Sequence, residues 1–264
     1  MAPRARSRSV LLALTRPVSP SIVECQLTHL ARQPIEFARA AAEHTEYERR
    51  LAELGATVRR LPAAPTLPDA VFVEDTAVVV DELAVVTRPG AEARRPETAA
   101  VAEQLAEHRR IVSIEPPGTL DGGDVLVMDG EVYVGRSTRT NDSGIEQLRR
   151  ALEPLGYRVT AIAVTRCLHL KAAVTRVAAG TLLVNPAWVA SDAFTGYRRL
   201  TVDPAEPAAA NALALGGSIL HPAQHVRTRA RLEATGLAVI PVPMTELAKA
   251  EAGITCCSII LEVP

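Results

Sequence analysis

The sequence predicts an α/β fold made of repeated two-stranded units that close on themselves, and three observations carry the prediction. First, strand-like apolar runs meet at short turns at Asp81-Glu82, Asp129-Gly130, Ala179-Gly180 and Gly216-Gly217. Asp-Gly and Gly-Gly suit hairpins because those turn positions need positive φ. Second, most of these hairpins lead into a stretch with the apolar spacing of a helix: Glu97 to His108, Gly144 to Leu155 and Val226 to Thr235. Third, the last strand, Gly253 to Leu261, has no partner after it, whereas Val10 to Pro17 repeats the apolar run and the Thr-Arg-Pro exit of Val85 to Pro89. Pairing the two ends completes a fifth unit and removes free sheet edges.

Taken in order, Val10 to Leu14 is a strand, and Val18 to Gln33, punctuated by Pro20 and bounded by Pro17 and Pro34, is a loop of the length that often forms a lid. A helix follows over about Ile35 to Leu54. Each later unit reads strand, turn, strand, loop, helix, strand. The second strands leave by similar exits: Thr87-Arg88-Pro89-Gly90, Gly135-Arg136-Ser137, Asn185-Pro186 and His221-Pro222. Pro204 to Pro207 is a turn between units, and no low-complexity tract or linker interrupts the chain, so residues 1–264 read as a single domain. In the last strand, alternation sets Cys257, Ile259 and Leu261 in one apolar row and leaves Cys256 with Ser258 on the other face.

At 48% hydrophobic residues the chain can bury a sizeable core. A formal net charge of -1 supplies no basic field, which argues against nucleic acid and anionic membranes as partners. The basic start, Met1 to Arg8, leads into an apolar run that stops at Arg16, too short for a signal or a membrane span, so a cytoplasmic location is expected. Cys25, Cys167, Cys256 and Cys257 lack zinc-type spacing, and adjacent cysteines are poorly placed for an unstrained disulfide. Reduced thiols fit these positions.

In a closed ring, residues at the same end of each hairpin's first strand converge on the axis. Asp69 to Asp75, Asp121-Gly-Gly-Asp124, Leu168-His169-Leu-Lys171 and Cys256 all occupy that position. This set suits attack on a cationic planar carbon. Asp75 and Asp121 can hold a guanidinium by charge-assisted hydrogen bonds. Cys256 becomes nucleophilic as a thiolate beside a cation, either the guanidinium or protonated His169. His169 can protonate the departing amine and then deprotonate water. Arg88 and Arg139, at two strand exits, would suit a substrate carboxylate.

These residues resemble a known family. Phe72-Val-Glu74-Asp75, Thr87-Arg88-Pro-Gly-Ala, Leu120-Asp121-Gly-Gly-Asp124-Val, Arg139-Thr-Asn141, Leu168-His169-Leu-Lys171 and Thr255-Cys256-Cys257-Ser258 are similar, in order and spacing, to motifs of the dimethylarginine dimethylaminohydrolases of the pentein, or guanidino-group-modifying, superfamily. The resemblance implies a five-bladed α/β-propeller. It also implies cofactor-free hydrolysis of Nω-methylated arginines to citrulline and methylamine or dimethylamine. Cys256 would form an S-alkylthiouronium, with His169 as general acid and base. Asp75 and Asp121 would bind the guanidinium, and Glu74 and Phe72 would line the site. Asp69 and the Ala250 carbonyl would hold the α-amino group, and Arg88 and Arg139 the α-carboxylate. The stretch Lys249-Ala-Glu251-Ala-Gly253 departs from the Asp-Gly pair common in relatives.

Two other readings compete: a related pentein that deiminates arginine or transfers its amidino group, and a non-catalytic pentein binding module, which would need neither Cys256 nor His169. Zinc would find only two ligands of thiolate and imidazole type, so no metal is expected. The expected partner is a small molecule, and the chain is compatible with a homodimer.

Overall fold

A computed structural model describes residues 9–264; the basic start, Met1 to Arg8, lies outside them. Strand β1 (Val10–Thr15) precedes helix α1 (Phe37–Glu53) and β2 (Ala56–Arg60). The first complete unit is β3 (Ala77–Val79), β4 (Leu83–Val86), α2 (Thr98–Ala106) and β5 (Arg110–Ser113). The second is β6 (Val125–Met128), β7 (Glu131–Arg136), α3 (Asp142–Leu152) and β8 (Arg158–Ala163). The third opens with a single turn, α4 (Leu170–Ala173), and continues through β9 (Val174–Ala178), β10 (Thr181–Val184) and β11 (Arg198–Thr201). Then come β12 (Leu213–Leu215), β13 (Ser218–Pro222), α5 (Val226–Glu233), β14 (Val239–Val242) and finally β15 (Ile259–Val263).

The strands form five three-stranded sheets, each with an antiparallel hairpin whose second strand pairs in parallel with a third. The two ends of the chain meet as expected. β1 lies antiparallel to β15, with Leu12 opposite Leu261, and parallel to β2. The turns have the anticipated chemistry: Asp129 and Gly130 sit at φ 50° and 84°, and Gly216 and Gly217 at 56° and 79°. Positive φ at both central positions matches the twist of the flanking strands.

Helices cover the sheets with one apolar face each. α3 buries Ile145, Leu148 and Leu152, and the Asn141 side chain caps it by accepting the Gly144 N–H. In the third unit the connection between β10 and β11 is a 3₁₀ turn, Ser191–Ala193, in place of an α-helix. Phe194 there is fully buried and meets the Tyr133 ring edge-on at 4.9 Å. The first strands of all five hairpins, β3, β6, β9, β12 and β15, contribute residues to one shared cavity of about 640 Å³. No helix among the described residues is long and apolar enough to cross a membrane.

At the head of four of these first strands the chain makes a helical turn, which at Cys256 replaces the alternating strand expected there. Val73–Thr76, Gly122–Asp124, Leu170–Ala173 and Thr255–Cys257 are each a single helical turn, and the strand starts only afterwards. Cys256 and Cys257 therefore occupy a turn and not the final strand. Their environments still separate as expected: Cys257 is fully buried beside Tyr47 and Ile254, while Cys256 is partly exposed.

Candidate active site

The four single turns bring the reactive groups together. Asp75 lies in the first, Asp121 immediately precedes the second, His169 the third, and Cys256 is inside the fourth. His169 Nε2 lies 2.9 Å from Asp121 Oδ2, and its Nδ1 3.7 Å from Asp75 Oδ1. All three residues are at most 5% exposed. Burial alone would lower the His169 pKa, but the Asp75 charge and the Asp121 hydrogen bond outweigh it and push it up to about 9. Burial would likewise raise the Asp75 pKa, yet His169, Arg94 and the Gly123 N–H hold its carboxyl well below the usual range.

The Asp-Gly-Gly-Asp motif is more than a turn. Gly123 donates its N–H to Asp75 Oδ1 at 2.9 Å, and a Cβ there would approach Asp75 Oδ1 and His169 Nδ1 to 2.6 Å. Only glycine allows the carboxylate and imidazole so close to the backbone. Asp124 accepts the Leu170 N–H at 2.9 Å and the Ser137 hydroxyl at 2.6 Å, fixing the turn that presents His169.

Cys256 Sγ accepts the Gly253 N–H at 3.3 Å. Burial and then the Glu74 and Asp75 charges push its pKa well up, so the resting thiol is protonated. Glu74 does not face the sulfur as a free anion: it pairs with Lys171 at 2.6 Å and accepts the Thr255 hydroxyl at 2.9 Å. Asn211 completes this frame by bonding Thr255 N–H and Oγ1 and the Lys171 carbonyl. No motif in the sequence marks Asn211.

The cleft has two lobes that share His169, Leu168, Glu251, Ala252 and Cys256. The smaller is polar and includes Asp69, Phe72, Asp75, Arg94, Arg139 and Ala250. The larger, of about 250 Å³, is mainly apolar. The expected loop covers the polar lobe. It contains a 3₁₀ turn, Pro20–Glu24, capped by Ser19 and anchored by the fully buried Ile22. Beyond that turn, Asp69 accepts the Gln26 N–H at 3.1 Å, and Arg139 Nη2 donates to Thr28 Oγ1 at 3.1 Å. Glu251, in the departing stretch before the nucleophile, accepts the N–H groups of Thr28, His29 and Leu30.

Two expected residues do not line the cleft: Asp121, which is fully buried with its oxygens on His169 and Gly90 N–H, and Arg88. Arg88 lies in an isolated bridge with Leu120, donates to the Gly118 carbonyl at 3.1 Å, and does not line the cleft. The bridge to Leu120 fixes the backbone of Arg88 beside the next unit, and its guanidinium is taken up by the Gly118 carbonyl. The arginine that reaches the cleft beside Arg139 is Arg94, from the 3₁₀ turn Glu92–Glu97. It is 3% exposed, donates to Asp75 Oδ2 at 2.5 Å and to the Phe72 carbonyl at 3.0 Å, and pairs with Glu97 at 2.9 Å. Among the described residues, Asp75, Asp121 and His169 are the cluster whose ligand atoms, within 4.8 Å of one another, could chelate a cation. Cys256 is not part of it.

The chain is similar to known proteins along most of its length. The family model described as "N,N dimethylarginine dimethylhydrolase, eukaryotic" matches residues 26–193. The N(G),N(G)-dimethylarginine dimethylaminohydrolase of Streptomyces coelicolor is 40% identical over 249 residues, covering 94% of this chain and 95% of that protein. A solved Pseudomonas aeruginosa relative, a cysteine-to-serine mutant complexed with citrulline, superposes with a TM-score of 0.90 at 30% identity, covering 95% of this chain and 98% of that one. A dimethylarginine dimethylaminohydrolase with a histidine-to-glycine change, solved as an adduct with S-methyl-L-thiocitrulline, gives a TM-score of 0.89 at 30% identity and covers 95% and 99%.

Proposed function

Because this chain belongs to the dimethylarginine dimethylaminohydrolase family, we propose that it hydrolyses Nω-methylated L-arginines to L-citrulline and dimethylamine or methylamine. The carrying observation is the placement of Cys256 and His169 where the polar and apolar lobes meet, with Asp75 on the polar side and buried Asp121 bonded to the imidazole. A guanidinium bound there has anions on one side and the thiol on the other. Its positive charge offsets the carboxylates that keep Cys256 protonated and favours the thiolate, the thiol proton passing to solvent. The thiolate attacks the guanidinium carbon, forming a C–S bond. His169 gives its proton to the substituted nitrogen, the C–N bond breaks, and the amine leaves. Water, giving a proton to His169, then attacks the thiouronium carbon; the C–S bond breaks, releasing citrulline and restoring the thiol.

In this reading Asp69 and the Ala250 carbonyl take the α-amino group, Phe72 packs along the chain of the substrate, and Glu74 holds the nucleophile's turn through Thr255. Arg139 and Arg94, and not Arg88, face the α-carboxylate. The five sheets act as blades of a five-bladed α/β-propeller, in a single domain that works in the cytoplasm and is compatible with a homodimer. The test is incubation with dimethylarginine, monomethylarginine and arginine, scored for citrulline and for the amine released. Citrulline from arginine alone would favour the deiminase reading, and no citrulline from any of them a binding module.

Two further results are expected. Arg139→Ala should lower kcat/KM by about two orders of magnitude, since loss of a buried charged contact costs roughly 2–5 kcal/mol, while Arg88→Ala should leave it within threefold. Equal losses in the two variants would return Arg88 to the site. Because the folded-state pKa of His169 is raised to about 9 from an ordinary value near 6.5, its ion pairs stabilise the fold fully below about pH 6.5. That contribution is lost as pH rises through about 9. The thermal midpoint should therefore fall across this window, and the fall should vanish in His169→Ala; a wild-type midpoint flat from pH 6.5 to 9.5 would contradict the paired imidazolium.

A further inference from the structure

The apolar lobe is far larger than a dimethylamino group requires. That group has three heavy atoms, roughly 90 Å³ at the ~30 Å³ that a water-sized group occupies in a liquid, against a chamber of about 250 Å³. Leu30, Leu168, Ala172, Trp188 and Ala208 form its walls. The charged groups bordering it do not make it polar: Lys171 and Glu74 neutralise each other at 2.6 Å, the Glu251 carboxylate is taken up by the N–H groups of Thr28, His29 and Leu30, and Arg166 is exposed to solvent. His225 is kept neutral chiefly by burial.

Its position gives it a role. The ionic groups suited to an amino-acid head, Asp69, Arg94 and Arg139, all lie in the other lobe. His169 is shared by both lobes, so whatever the leaving nitrogen carries is directed past the imidazole into the apolar chamber. We propose that this chamber is a subsite for the Nω substituent, and that the chain binds arginines bearing an uncharged alkyl or aralkyl group larger than methyl more tightly than it binds monomethylarginine. The inference rests on the cleft being a methylarginine site.

Calorimetric binding to the Cys256→Ser protein tests it without depending on turnover. Each buried methylene contributes about fourfold in affinity, so Nω-propyl-L-arginine should bind about tenfold more tightly than monomethylarginine. An anionic Nω-(2-carboxyethyl) analogue of similar length should bind at least tenfold more weakly than the propyl compound. Trp188→Ala in the same background should shrink the propyl advantage to threefold or less. Ala208→Phe, which adds bulk at an exposed loop position, should do the same by filling the chamber and serves if Trp188→Ala does not fold. A propyl compound that binds no better than monomethylarginine, or an advantage that survives both variants, would overturn the subsite. Citrulline release from monomethylarginine by the unmodified protein reports separately on the hydrolase reading.

Discussion

Asp121→Asn is expected to cut citrulline formation by on the order of 10²–10³-fold while the chain stays folded. The carboxylate is fully buried, with Oδ1 accepting the Gly90 N–H at 2.8 Å and Oδ2 meeting His169 Nε2 at 2.9 Å. An amide has a single oxygen. Turned toward Gly90 it sets its NH₂ against the protonated imidazole; turned toward His169 it sets the NH₂ against Gly90 N–H. Either orientation loses one hydrogen bond and the charge that keeps His169 protonated. The alkaline limb of the rate profile should accordingly move to lower pH, because part of what raises the His169 pKa has gone. Asp75→Asn should lose comparable activity and also destabilise the fold by on the order of 3 kcal/mol, since it leaves buried Arg94 short of a counter-charge. Near-normal turnover in Asp121→Asn, with circular dichroism unchanged, would reduce the Asp121–His169 contact to a structural one.

The difference between these two aspartates was not legible in the sequence. Both open a hairpin, and both carry the same charge. What separates them is Arg94, which reaches Asp75 from a turn containing Pro96 about twenty residues on, a segment with no periodicity to read. Sequence reasoning placed an arginine at the hairpin exit, where the motif is conspicuous, but strand pairing of Arg88 with Leu120 fixes that side chain on Gly118. A motif identifies a loop; which of its arginines folds inward depends on packing two turns away.

The fold itself was more readable. Hairpin turns need particular residues, so Asp129-Gly130 and Gly216-Gly217 announced their strands directly, and the Thr15-Arg16-Pro17 echo of Thr87-Arg88-Pro89 announced the meeting of the chain ends. Alternation fails at Cys256 because a helical turn of three residues is too short to show a period of its own. The expected convergence survived this error. It depends on equivalent positions in successive units, not on which backbone conformation each position adopts.

That error leaves the two adjacent cysteines to be separated by experiment. Cys256→Ser should abolish citrulline formation, a loss of at least about 10³-fold, with the fold intact, because a hydroxyl lacks the thiolate's accessible ionisation and nucleophilicity. Cys256 is partly exposed between the two lobes, and its sulfur accepts the Gly253 N–H, a role that serine can keep. Cys257 differs in every respect: it is fully buried among Tyr47, Ile254 and Val71, and burial holds its thiol protonated. Cys257→Ser should therefore cost about 1–3 kcal/mol of stability through a buried hydroxyl, and keep turnover at temperatures where it is folded. Acid quenching during turnover should trap a substrate-derived adduct on Cys256 in the unmodified protein and none in Cys256→Ser. An adduct on Cys257, found by peptide mass spectrometry, or full turnover by Cys256→Ser, would show that the turn presents the other sulfur to the guanidinium and would overturn the proposed nucleophile.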